Sequence, residues 1–145
     1  MCFWLGKSQW VWYCGSVPLD HRYWIRDSVL FPGHAEYMEI MPEKGMILCP
    51  ALVHIDPPKY LPLAMSYVDA GEGHVRTRLR PDEPWREHRY RIEGDVILWD
   101  HQEGIREWPW NRMAEEEWPE WYPEFRDNAV TRFEEKLRQA VSNGG

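Results

Sequence analysis

Cysteine is scarce in this chain, long apolar runs are missing and positive charge is in deficit. Each shortage removes a class of protein. The three cysteines, Cys2, Cys14 and Cys49, are an odd number with no C-x-x-C spacing. That excludes a disulfide-stapled scaffold and a zinc site built on cysteine pairs. No stretch approaches the roughly 20 apolar residues that a membrane-spanning helix needs. The first residues, MCFWLGKSQWVWYCGS, are apolar. They carry no basic n-region and no small-x-small cleavage site, so no secretory signal is expected and a reducing, cytoplasmic location follows. Seventeen basic residues face 24 acidic ones, for a net charge of −7. This balance argues against nucleic acid and anionic membranes as partners. There is no internal repeat and no low-complexity linker, so one domain, 1–145, is expected.

Catalytic motifs are also missing. His34-Ala35-Glu36 matches the H-x-E half of a zinc deaminase signature, but no P-C-x-x-C follows to supply the remaining ligands. Gly6-Lys7-Ser8 resembles the tail of a phosphate-binding loop, yet its first glycine would fall on Met1. Cys14-Gly15-Ser16 resembles the start of the papain-type C-G-S-C run, but Val17 stands where the nucleophile would be. There is no G-x-S-x-G elbow. None of the six histidines has another at metal-ligand spacing. No metal, cofactor or catalytic residue is expected.

What is present is aromatic and strand-like. Ten tryptophans are counted in 145 residues, and each indole brings a large apolar area with one N–H that wants a partner. Residues 10–14, WVWYC, favour a strand. Residues 28–31, SVLF, form a short apolar run stopped by Pro32-Gly33. Residues 35–41 place Tyr37, Glu39 and Met41 on one face and Met38 and Ile40 on the other, a half-buried strand. The nearly continuous apolar run 46–55 reads as a central strand in which Pro50 forces a bulge or an edge position. Further strands are expected at 62–68, 75–80, 88–92 and 96–99, separated by turn residues at 69–73, 81–84 and 93–95. No helical pattern of useful length precedes residue 112. From Pro123, apolar residues Phe125, Ala129, Phe133 and Leu137 fall at helical steps, which predicts a helix over about 123–141. The expected fold is mainly β: an antiparallel meander forming an up-and-down barrel or half-barrel, with a C-terminal helix on the sheet or over a barrel end.

This order of elements resembles the lipocalin-like layout of aromatic strand, antiparallel meander and closing helix. The G-x-W of that family is not matched, since Gly6 stands four residues before Trp10. The resemblance implies a barrel and carries no site residue over.

Two surfaces stand out. Strand 75–80 alternates strictly, with Arg76, Arg78 and Arg80 on one face and Val75, Thr77 and Leu79 on the other. If it pairs with 88–93, Arg89 and Arg91 fall beside them, a patch suited to a ligand or partner anion, or to a solvated face of cross-strand ion pairs. Acid and aromatic residues mix at Trp108, Trp110, Glu115, Glu116, Glu117, Trp118, Trp121 and Tyr122, a composition suited to an interface or to a packed connection into the helix. Two functions follow as expectations. One is a small acidic binding protein that occupies another protein's surface, as an inhibitor or immunity-type partner. The other is a lipocalin-like barrel that binds, or acts on, a small anionic or aromatic ligand through an aromatic-lined cavity and the arginine face.

Overall fold

Side chains that alternate between two environments drive most of this chain into strands. The computed structural model describes residues 21–28, 30–100 and 107–144. Eight strands follow one another: β1 (Tyr23–Asp27), β2 (Ala35–Met41), β3 (Met46–Ile55), β4 (Pro58–Gly71), β5 (His74–Arg78), β6 (Arg86–Glu93), β7 (Val96–Asp100) and β8 (Glu107–Arg112). Each pairs antiparallel with the next, and β8 pairs back onto β1 through Trp24 opposite Arg112 and Ile25 opposite Asn111. The result is a closed up-and-down barrel with one helix, α1 (Tyr122–Gly144), packed against it.

The two barrel ends differ. At one end, β4 and β5 are joined by Glu72 and Gly73 alone, both at positive φ (55° and 76°), and β6 and β7 by residues 94–95. A Cβ on Gly73 would lie 2.9 Å from the Tyr90 carbonyl oxygen, so that tight turn also requires glycine for space. Below these turns the interior is filled by Trp24, Ile40, Ile47, Val75, Tyr90, Ile97 and Trp110. At the other end lie the connections 28–34 and 79–85, which are longer, and the short link at 56–57.

The outer face of β2 and β3 carries a second core. Met41, Met46 and Leu48 meet Tyr122, Ala129 and Phe133 of α1. The helix therefore lies on the barrel wall rather than over its end. Between wall and helix sits Glu39, fully buried. It accepts from Arg22 Nε at 2.5 Å, Arg126 Nη1 at 3.3 Å and the Tyr122 hydroxyl. Burial, reinforced by the adjacent carboxylate, pushes the Tyr122 hydroxyl well above the usual phenol range. Burial opposes the charge of Arg22 and Arg126, but hydrogen bonding and attraction within this cluster prevail and raise both guanidiniums.

The strand expected at 10–14 lies outside the described residues. Of the apolar run 28–31, the described Ser28, Leu30 and Phe31 belong to the β1–β2 connection, and Leu30 is 77% exposed. The segment is held by a local bond, the Phe31 N–H donating to Ser28 Oγ at 3.1 Å, which favours a turn over a ladder. The strand expected at 75–80 stops at Arg78, because the Leu79 N–H is taken by the Glu83 carboxylate at 2.7 Å. Among the described residues, β2 and β3 pair only from Glu39–Leu48 to Met41–Met46. Pro50 stands beyond that ladder, where its missing N–H breaks no bond to β2.

Candidate functional site

Filling at one end leaves room at the other. A cavity of about 310 Å³ occupies the barrel where β1, β3, β5 and β7 finish and β2, β4, β6 and β8 begin. Strand periodicity places its lining. Arg26 is two residues on from the inward Trp24, and Glu36 two before the inward Met38. Thr77 is two after Val75, His88 two before Tyr90 and Trp99 two after Ile97. The β3–β4 wall adds Cys49, Ala51, Leu63 and Met65, and Tyr37 and Pro50 stand where the β2–β3 ladder has ended.

Most of this surface is apolar or aromatic, with two polar pairs. On β1 and β2, Arg26 and Glu36 are register partners. Arg26 Nε and Nη2 reach Glu36 Oε1 at 2.9 and 2.8 Å, and Ser28 Oγ donates to Glu36 Oε2 at 3.1 Å. The Arg26 guanidinium also lies 4.2 Å from the centroid of the Trp110 ring, a cation–π stack. On β5 and β6, Thr77 Oγ1 and His88 Nε2 are 3.1 Å apart. In a closed barrel of eight strands, β5 and β6 stand across from β1 and β2, so the two pairs face each other over the cavity. The free Cys49 thiol is pushed up to about 12 by burial and stays protonated near neutral pH. Burial also raises the Tyr37 hydroxyl. Among the described residues, no group of three or more His, Cys, Asp or Glu could hold a metal ion.

The arginines singled out by alternation lie elsewhere. Val75 and Thr77 face inward, so Arg76 and Arg78 face out, and Arg89 and Arg91 do the same beside the inward Tyr90. Their surroundings are those of a charged strand face. Arg76 is paired in register with Glu87, Arg91 Nε reaches Glu93 at 2.6 Å, and Arg78 stacks 4.2 Å above Trp85. Arg80 lies past the end of β5, 3.6 Å from Asp82.

The acidic aromatic stretch divides. Trp110 is buried inside the barrel and Tyr122 beneath the helix, because each ring follows the inward phase of its element. Trp118 stacks on Tyr122 at 3.8 Å, and Trp121 on Tyr60 at 4.6 Å with 38% of its surface exposed. Glu115, Glu116 and Glu117 form an exposed single turn, of which Glu117 caps the Ala114 N–H. Trp108 stands on β8 in register with Trp99.

The sequence pattern missed Arg26, Glu36, Thr77, His88 and Trp99 as a group. Their signal is a two-residue step from an apolar position that faces inward, visible only once the phase of each strand is known. Compared with protein-family models, curated proteins and solved structures, the chain has no match in any of the three.

Proposed function

We propose that this protein is a binding protein that holds one small, ring-containing, largely apolar molecule inside its barrel. The cavity carries the proposal: a mostly apolar pocket walled by Tyr37, Trp99 and Trp110, with a few convergent polar groups, has the make-up of a ligand site. Its volume of about 310 Å³ sits at the small end of the range for such pockets, which suits a compact molecule of two or three rings rather than a long acyl chain.

The test uses N-phenyl-1-naphthylamine, an uncharged ring probe whose fluorescence rises in apolar surroundings. Saturable one-to-one enhancement is expected. It should weaken at least tenfold in Ala51→Trp, which fills the cavity, while circular dichroism keeps the barrel signature. Met65→Trp serves as the second filling variant. No enhancement in the parent protein, or equal binding in folded variants of both kinds, would overturn the proposal.

A second reading, a surface for a basic protein partner, is supported by Trp121, a partly exposed indole beside the exposed acids Glu120 and Glu124.

A further inference from the structure

Resting on the cavity reading above, we infer that the ligand is uncharged and presents a donor and an acceptor side by side, as a primary or cyclic amide does, to the Arg26–Glu36 pair. The argument is one of charge balance in a confined space. Among the described lining residues, Arg26 and Glu36 are the arginine and the carboxylate, and they pair at 2.8–2.9 Å. Both are held in place, Arg26 by the Trp110 ring and Glu36 by Ser28, whose Oγ is itself fixed by the Phe31 N–H. Their side chains keep 18% and 17% exposure, so they border the cavity instead of being sealed from it.

A ligand carboxylate placed against Arg26 would stand beside Glu36 and meet a like charge at close range. A ligand ammonium placed against Glu36 would meet Arg26 in the same way. Either ion would also leave water for a place where Arg26 and Glu36 already answer each other, which is the costly case. A neutral amide avoids both penalties. Its carbonyl accepts from the guanidinium, which carries five N–H donors, and its N–H donates to the carboxylate, which has lone pairs on both oxygens. The ring then lies among Trp110, Met65 and Leu63, and the Thr77–His88 pair bounds its far side.

Three probes of one shape separate the possibilities: 2-naphthamide, 2-naphthoate and naphthalene, each titrated calorimetrically into the full chain. The amide is expected to bind at least tenfold tighter than the carboxylate and tighter than the bare ring. In Glu36→Gln the cavity wall loses the carboxylate that would repel a ligand anion beside Arg26, and the order should invert in favour of 2-naphthoate. In Arg26→Gln the remaining Glu36 charge should widen the preference for the amide. Should either single variant lose its barrel spectrum, Arg26→Gln/Glu36→Gln, which restores neutrality, should keep the amide ahead of the carboxylate. A parent protein that binds 2-naphthoate as tightly as 2-naphthamide overturns the inference, and so does an order unchanged in folded Glu36→Gln. If no naphthalene probe binds while N-phenyl-1-naphthylamine does, the inference fails and the cavity reading stands. If N-phenyl-1-naphthylamine fails as well, the cavity reading falls with it.

Discussion

Glu39 shows how little a residue's type says about its place. It alternates with apolar neighbours on β2, and a carboxylate in such a strand reads as the water-facing side. The phase was legible, since Tyr37, Glu39 and Met41 do share a face. That this face is covered by α1 was not, because the covering element comes more than eighty residues later and the anchoring groups Arg22, Tyr122 and Arg126 are scattered in sequence. A fully buried carboxylate with charged partners is costly to alter. Glu39→Gln should destabilise the fold by about 1.5–3 kcal/mol, the range for charge-assisted hydrogen bonds. Arg22→Gln, whose side chain is 40% exposed, should lose less than about 1 kcal/mol. Urea unfolding of the two variants side by side checks the ranking, and an equal loss in both would show that burial of Glu39 does not set the cost. Arg26 went unread for a related reason. The segment Tyr23–Asp27 has apolar residues on both faces, Tyr23 and Ile25 on one and Trp24 on the other, so no contrast of polarity marked it as a strand.

At the scale of elements, α1 was the most legible and β1 the least. The helix showed itself through Pro123 and the steps Phe125–Ala129–Phe133–Leu137, and those residues do form or adjoin the outer core. Its docking place was left open between wall and barrel end. The wall wins because Met41, Met46 and Leu48 present an apolar outer face on β2 and β3 that Tyr122, Ala129 and Phe133 cover. Phe133 is 7% exposed within this packing. Phe133→Ala should therefore cost about 3–5 kcal/mol, as for large buried aromatics. Thermal unfolding followed at 222 nm measures it. A loss under about 1 kcal/mol would mean that the helix contributes little to the barrel. The outward arginines of β5 and β6 were phased correctly by their alternation. The direction that alternation points, into the barrel or away from it, depends on Val75 and Tyr90 being core residues, which sequence periodicity alone leaves undetermined.

For the whole molecule, burial of ionisable groups predicts a pH response. The Cys49 thiol moves from 9.0 to about 12 on burial, and the Tyr67 hydroxyl from 10.0 to about 12, through burial first and then the nearby Asp69 and Glu43. Both folded-state values lie above the unfolded ones. Between about pH 9 and pH 12 the unfolded chain has thus released protons that the folded chain retains, so stability falls as pH rises through that window and is fully present below it. Tyr122 acts in the same direction. The urea midpoint should be level from pH 7 to pH 8.5 as far as these groups are concerned and lower at pH 10.5. A midpoint that holds at pH 10.5 would contradict their burial in the folded state.

The inequality of the two barrel ends bears on how freely this molecule could change over time. Turns as short as Glu72-Gly73 tolerate almost no alteration, because backbone sign and space are both prescribed there. The connections 28–34 and 79–85 border the cavity end and are long enough to absorb insertions, since doubling a flexible loop adds only about 0.6 kcal/mol of closure entropy. Mutational drift would therefore be directed to the end that holds the cavity. Descendants of this barrel could reshape the cavity mouth by rewriting two loops and leaving the other end as it stands.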